Sequence, residues 1–174
     1  MTNKLIVKYK FTLHQKIHLI IFVGSIPILI IGEMLRMNLN FIGKIILVCF
    51  FLIYFVIFSF AFSKIGFLKL NENLYRGLFI YDKLLFKKLI NLNNRNKIAI
   101  LKFKRRRKLA FISNAKPDLS EEFNSFEINL LNEKHTERDL IVIFENKANS
   151  IKLIDFLESN FELKYETFSP NFKN

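Results

Sequence analysis

The feature that most constrains this chain is an uninterrupted run of eighteen uncharged residues from Ile45 to Phe62. A helix of that length is about 27 Å long, close to the ~30 Å thickness of the hydrocarbon core of a bilayer. The run therefore predicts a helix that crosses a membrane. Every other segment must then be a partner of that helix or part of a domain held near the membrane surface.

A second apolar run, Ile17 to Gly32, follows a basic stretch, residues 1–16, that carries four lysines and no acid. The residues after this run offer no small-x-small cleavage site, so we interpret it as an uncleaved span rather than a signal peptide. Pro27 is expected to kink the helix, and Gly24 and Ser25 provide a small surface for close packing. The predicted hairpin therefore has spans at about 17–32 and 41–62.

Charge sets the predicted topology of these two spans. The connection between them, residues 33–40, carries one acid and one arginine, whereas dense basic segments precede the first span and follow the second. Basic residues stay on the cytoplasmic side of a membrane, so both termini are predicted to be cytoplasmic. The single cysteine, Cys49, lies inside the second span, which excludes an intramolecular disulfide framework, and the larger part outside the membrane is predicted to be cytoplasmic.

Residues 63–168 are long enough for one small domain, followed by a polar tail at 169–174. Their pattern is mostly that of β-strands, with alternating apolar and polar residues or short apolar runs bounded by turn residues. The predicted strands are 74–81, 84–90, 97–104, 109–113, 126–130, 140–144 and a last short one at 163–168.

Two of these strands carry specific predictions. In the segment 126–130, Phe126, Ile128 and Leu130 are expected to face inward, and Glu127 and Asn129 outward. The run 140–144 is apolar on both faces, which predicts a central strand. The irregular interval 114–124 is expected to contain at most one helical turn, capped by Asp118.

A late amphipathic helix is predicted to cover the sheet. Asn149 or Ser150 can cap it. Its apolar stripe is expected to comprise Ile151, Ile154, Leu157 and Phe161. The predicted fold class is thus a membrane α-helical hairpin plus a cytoplasmic α+β domain with a mostly antiparallel sheet.

The charge of the β-rich part is unevenly distributed. Residues 64–108 contain fourteen Lys or Arg and two acids, whereas residues 109–174 contain seven Lys or Arg and twelve acids. The densest part of the basic half is the basic cluster, which we define as Lys102, Lys104, Arg105, Arg106, Arg107 and Lys108. It has three interpretations: a topology signal, a surface for anionic lipid head groups, or a nucleic-acid site.

No set of residues predicts catalysis, a metal site or a cofactor. His14 and His18 are four residues apart, which puts them on one helix face, but no carboxylate or thiol accompanies them. His135 lies in a loop rich in acids and is predicted to be solvated. The five glycines form no phosphate-binding loop, and no charged residue lies in the middle of either span.

Two segments carry a resemblance to a known group of proteins. The aromatic first hairpin, LYRGLFIY followed by LLFKKLI, and the late helix NSIKLIDFLESNF give residues 63–168 a strand and helix order. This order resembles that of small bacterial two-transmembrane proteins with a pleckstrin-homology-like (PH-like) cytoplasmic domain. The residues after the helix depart from that pattern, so another α+β sheet is the alternative. The resemblance implies an interaction or lipid-surface module and supplies no catalytic residues.

The sequence therefore predicts a non-enzymatic integral membrane protein. Its expected partners are the lipid bilayer and either anionic lipid head groups or a protein bound by the PH-like domain. The alternative is a membrane-tethered nucleic-acid-binding protein that uses the basic cluster, which would require exposed aromatic side chains among the charges.

Overall fold

The computed structural model describes residues 3–108 and 120–171, and the side chains of residues 107, 108, 120 and 121 are outside that description. The chain divides into two compact units. We call residues 6–67 and 76–88 the helical unit, and residues 1–5, 68–75 and 89–174 the sheet unit. The described elements comprise three helices and eight strands: β1 (Lys4–Tyr9), α1 (Leu13–Arg36), α2 (Phe41–Ala61), β2 (Lys64–Leu70), β3 (Asn73–Ile80), β4 (Lys83–Ile90), β5 (Lys97–Lys108), β6 (Ser120–Leu131), β7 (Arg138–Phe144), α3 (Lys147–Asn160) and β8 (Lys164–Tyr165).

Within the described residues, α1 and α2 are the two helices that are long and apolar enough to cross a membrane. The most apolar eighteen-residue stretch of α2 contains no buried residue. Helix α1 begins earlier than its apolar run, because Thr12 and Gln15 form a capping box around its first turn. Asn40 caps α2 by accepting a hydrogen bond from the Gly43 amide at 2.8 Å.

The middle of α1 departs from regular α-helix. Residues Leu19–Val23 form a π-helical turn, closed by a hydrogen bond from the Gly24 amide to the Leu19 carbonyl. Pro27 lies four residues after the end of this turn, and it has no amide hydrogen to donate to the carbonyl of Val23. A wider turn just before a proline accommodates that missing bond, so the predicted irregularity lies in the turn that precedes Pro27.

The two apolar helices pack against each other at Gly24. A Cβ atom at this position would lie 2.8 Å from Cε2 of Tyr54, so only glycine allows this approach. Gly24 lies twelve residues before the end of α1, and Tyr54 lies thirteen residues after the start of α2. Nearly equal distances from the connection mean that the helices run antiparallel, as their short connection predicts.

The first sheet has the strand order β1-β2-β3-β4. Two-residue turns join β2 to β3 and β3 to β4, with positive φ at Asn71, Glu72, Tyr81 and Asp82. Positive φ at both central residues is typical of type I′ hairpin turns, so these neighbours are antiparallel. Strand β1 falls within residues 1–16, so part of that basic stretch belongs to a sheet.

The second sheet has the strand order β7-β6-β5-β8. Strands β5 and β6 pair antiparallel over twelve residues each, and β8 pairs parallel with the start of β5. The segment 140–144 lies in β7, which is an edge strand, so the prediction of a central strand is wrong. Ile141 and Val142 are nevertheless both buried, because an edge strand can be covered on both faces.

Strand β6 is longer and more buried than predicted. Ile128 and Leu130 are buried as expected, but Asn129 is buried as well, next to a register shift in the β6–β7 ladder. A bulge changes the alternation of faces, which accounts for this error. Residues 120–124, assigned to an irregular interval, belong to β6, and the predicted strand 109–113 and the Asp118 cap lie outside the described residues.

The late helix is α3, and it packs on β6, β7 and β8. Asn146, rather than Asn149 or Ser150, caps it by accepting a hydrogen bond from the Ala148 amide at 2.8 Å. Its buried residues are Ser150, Leu153, Ile154 and Leu157, whereas Ile151 is 44% exposed. The predicted apolar stripe is therefore wrong at Ile151. The predicted mixture of two apolar helices, mostly antiparallel strands and a late helix is confirmed, but the strands form two sheets and not one.

Candidate functional site

The basic cluster forms the last half of strand β5, where it pairs with the first half of β6. Lys102 lies opposite Phe126, Lys104 opposite Asn124, and Arg106 opposite Glu122. The backbones of Arg107 and Lys108 continue this ladder. The cluster is thus held on a regular strand at the far end of the β5–β6 pair, and its backbone is fixed by hydrogen bonds rather than placed in a loop.

Strand geometry divides the cluster between two faces. Lys102, Lys104 and Arg106 share one face, and Arg105 lies on the other face with Phe103, because side chains alternate along a strand. All four of these basic residues are exposed, and Phe103 is 41% exposed. Phe103 is therefore an exposed aromatic side chain among the charges of the cluster.

Two arginines of the cluster are bound to acids on β6. Arg106 Nε lies 2.7 Å from Glu122 Oε1, and Arg105 pairs with Glu127 on the opposite face. Such partly exposed cross-strand pairs contribute little to stability, but they neutralise part of the charge. Among the cluster side chains that the structure describes, which leave out Arg107 and Lys108, Lys102 and Lys104 are the two cations without an ion pair.

A second group of charges, which the sequence did not single out, lies at the other end of the second sheet. Arg95 binds Glu137 at 2.8 Å and Asp139 at 2.7 Å. Lys97 binds Glu133 at 3.1 Å and, on the segment after α3, Glu166 at 2.9 Å. We call this group the Arg95–Lys97 network. Each acid lies 36 to 69 residues further along the chain than the basic residue it binds, so no local pattern could have revealed the network.

The pKa shifts in this network follow from the pairing. A hydrogen bond from Lys97 lowers the pKa of Glu166, and hydrogen bonds from Asn96 and then Lys97 lower the pKa of Glu133. The same contacts with Glu166 and Glu133 raise the pKa of Lys97. The bond with Asp139 raises the pKa of Arg95. Every shift favours the charged form, which is typical of a structural network and not of a catalytic acid or base.

His135 is part of the same region and is only 6% exposed, so the prediction that it is solvated is wrong. Its Nδ1 accepts a hydrogen bond from the Ser169 amide at 3.1 Å, and its ring stacks on Phe168. Its buried Nε2 lies 3.2 Å from Glu166 Oε2, without the alignment of a hydrogen bond. His135 thus fixes the segment after β8 to the loop between β6 and β7.

His14 and His18 lie on one face of α1, as their spacing predicted. Their Nε2 atoms are 2.8 Å apart. Among the described residues, no group of three or more His, Cys, Asp or Glu side chains is arranged to hold a metal ion. Two imidazoles alone do not complete the four-ligand shell that zinc requires.

The ends of the apolar helices carry a set of lysine–aromatic contacts within the helical unit. Lys16 Nζ lies 3.5 Å from the centre of the Tyr9 ring, and Lys10 Nζ lies 4.5 Å from that of Phe60. Two polar contacts hold the β3–β4 turn: Ser59 Oγ in the last turn of α2 lies 3.3 Å from Tyr81 Oη, and Lys64 Nζ at the start of β2 lies 3.0 Å from Asp82 Oδ1. The hydrogen bond to Asp82 raises the pKa of Lys64.

We compared the chain with protein-family models, with curated proteins and with solved structures, and none of them matches it. Any assignment of function must therefore come from the residues themselves.

Proposed function

We propose that this chain is an integral membrane protein of the bacterial inner membrane, with both termini in the cytoplasm, whose PH-like β-rich part is a non-enzymatic interaction module. The observation that carries the membrane assignment is α2. It has 21 residues, and the exposed apolar side chains of α1 and α2 cover most of their length. Leaving that much apolar surface in water is unfavourable by about 25 cal/mol per Å2, whereas lipid removes the penalty.

The lysine–aromatic contacts at the ends of α1 and α2 support the same assignment. Tyrosine and lysine side chains are enriched where a spanning helix leaves the bilayer, since each has an apolar body and a polar tip. Lys10, Lys16 and Lys64 lie at this boundary beside Tyr9 and Phe60. A boundary rich in lysine is expected on the cytoplasmic side.

For the interaction module, we place the contact surface on the face of β5 that carries Lys102, Lys104 and Arg106. Alternate residues of a strand are about 7 Å apart, so these side chains form a regular row. Glu122 inserts a negative charge into this row. Such a row of positive charges with one negative charge beside it complements a protein surface that is mainly acidic but also carries some basic residues. A bilayer of anionic lipids offers negative charge alone, so we favour a protein partner.

The test compares the full-length protein, purified from membranes in gentle detergent, with the variant Lys102→Gln/Lys104→Gln. The control is Lys147→Gln/Lys152→Gln, which removes the same charge from exposed positions of α3. We expect one protein to co-purify with the wild type and the control but not with the β5 variant. Equal recovery from all three proteins would refute the assignment of this surface.

A second candidate function is nucleic-acid binding, and the exposure of Phe103 favours it. An exposed aromatic ring flanked by lysines in sequence can stack on a base. On the strand, however, the ring and the two lysines face opposite sides. Oligonucleotide binding that falls steeply with salt and is lost in Phe103→Ala would favour this function over the protein partner.

A further inference from the structure

A shallow groove of about 260 Å3 lies on the helical unit between the start of that unit and strands β3 and β4. Four of its lining residues are cations and none is an acid; the cations are Lys10, Arg76, Lys87 and Lys88. The rest of the lining is glycine and apolar side chains: Ile65, Gly77, Leu78 and Phe86. Cations beside an apolar wall suit a ligand with an anionic end and a hydrocarbon end.

The groove is anchored next to the end of α2. The Lys10 amide donates a hydrogen bond to the Ser63 carbonyl at 2.8 Å, and the Lys10 ammonium lies over the ring of Phe60 in the last turn of α2. Ile65 follows the last residue of α2 by four positions, which is at most about 14 Å of extended chain. The polar head-group layer on each side of a bilayer is about 5–8 Å thick, so a groove at this place lies in that layer or only a few residues of extended chain beyond it.

Strand β4 provides an exposed apolar surface beside the groove. It is the last strand in the order of the first sheet, and Leu84, Leu85 and Phe86 are all exposed, Phe86 at 65%. Its turn is tied to α2 through Tyr81 and to the start of β2 through Asp82. An exposed apolar edge strand in water invites aggregation, whereas the same strand at a lipid surface removes its apolar side chains from water.

We propose that this groove binds an anionic phospholipid from the bilayer that holds α1 and α2. The lipid phosphate lies among Lys10, Lys87 and Lys88, and its upper hydrocarbon lies against Phe86 and the neighbouring leucines of β4. The inference rests on the proposed membrane insertion, but it uses none of the residues of the basic cluster. It assigns lipid binding to the helical unit and leaves Lys102 and Lys104 for a protein.

The size of the effect follows from the charges. A basic residue close to an anionic bilayer contributes about 1 kcal/mol, which is about a five-fold change in affinity. Replacing two of the groove lysines should therefore weaken the binding of an anionic lipid by about 25-fold. Binding of a zwitterionic lipid should change little, because its net charge is zero.

The experiment counts the lipids bound to the full-length protein by native mass spectrometry. The protein is titrated with dioleoyl phosphatidylglycerol, with dioleoyl phosphatidylcholine, and with glycerol 3-phosphate as a head group without acyl chains. The variant is Lys10→Gln/Lys88→Gln, and the control is Lys147→Gln/Lys152→Gln on α3. We expect tight binding of phosphatidylglycerol alone, unchanged in the control and weakened about 25-fold in the variant.

Three results would overturn the proposal: equal binding of the two lipids, equal loss in variant and control, or binding of glycerol 3-phosphate as tight as that of the lipid. The last result would mean that the groove binds free phosphate esters. Resistance of the wild-type protein to alkaline extraction from membranes tests the insertion separately. If the protein is extracted, the proposed function fails; if it resists extraction and the variant binds lipid normally, only the groove assignment fails.

Discussion

Truncation of Leu157 on α3 tests the packing of the sheet unit. Leu157 is fully buried, whereas Ile151 on the same helix is 44% exposed. The apolar pattern of the sequence had placed both residues on one inward face. The pair Leu157→Ala and Ile151→Ala therefore removes a similar volume from two positions that only the structure distinguishes.

The expected magnitudes differ strongly. Truncating a fully buried leucine costs about 2–5 kcal/mol, because it removes transfer free energy and leaves a cavity under β6 and β7. Truncating an exposed isoleucine changes stability by about 0.5 kcal/mol or less. The equilibrium constant for opening the structure should therefore rise about 30- to 5,000-fold in Leu157→Ala and hardly change in Ile151→Ala.

Amide hydrogen exchange of the full-length protein in detergent measures both effects. The informative amides are those of β6 from Ile128 to Leu131, since this segment is buried and contacts the strands under α3. We expect Leu157→Ala to accelerate their exchange by the factor given above and Ile151→Ala to leave it unchanged. Equal acceleration in the two variants would refute the orientation of α3.

Three further predictions concern the helix packing, the charge network and the topology. Gly24→Leu should destabilise the α1–α2 packing by about 1–3 kcal/mol through overpacking. Gly32→Leu should be neutral, because a Cβ atom at position 32 would meet nothing within 4 Å. The apparent Tm of the protein heated in detergent should therefore fall in Gly24→Leu and stay unchanged in Gly32→Leu. The hydrogen bond from Lys97 on β5 lowers the pKa of Glu166 in the folded protein. This ion pair therefore stabilises the fold above the ordinary carboxyl pKa of about 4.5, and its contribution is lost as the pH falls below that value. The difference in Tm between wild type and Glu166→Gln should therefore be present at pH 7 and vanish in strong acid; a difference that persists at pH 2 would contradict the ion pair as its source. The variant Asn38→Cys/Cys49→Ser carries its only cysteine in the connection between α1 and α2, which the proposed topology puts outside the cytoplasm. It should react with an impermeant maleimide in intact cells, and labelling only after lysis would refute that topology.

Several elements of the fold could be predicted because their signals are local. The capping residue Asn40 and the apolar run of α2 are contiguous in sequence. The glycine at position 24 lies one turn from Pro27, so its use for close packing could be anticipated. The first part of the strand that carries the basic cluster, 97–104, was also predicted, because Lys102 and Lys104 alternate with Leu101 and Phe103; its continuation to Lys108 was not.

Other features could not be predicted because they depend on residues distant in sequence. The composition of the strand around Val142 is typical of a central strand. Its position at the edge depends on the strand order of the sheet, in which β7 pairs only with β6. The burial of His135 depends on the segment after β8, which supplies Ser169 and Phe168. In the candidate site, the sequence showed the positive charges of β5 but not their neutralisation by acids on β6.

The sequence by itself determined that this chain has two long apolar helices and a basic segment after them, because length, hydropathy and charge are properties of contiguous residues. The tertiary structure alone decided which cations remain available. Strand register puts Arg105 and Arg106 within reach of Glu127 and Glu122 and leaves Lys102 and Lys104 without an ion pair among the described residues. It also gathered the four cations of the groove from β3, β4 and the residue after β1, because the pairing of strands into a sheet brings together residues that are far apart in sequence.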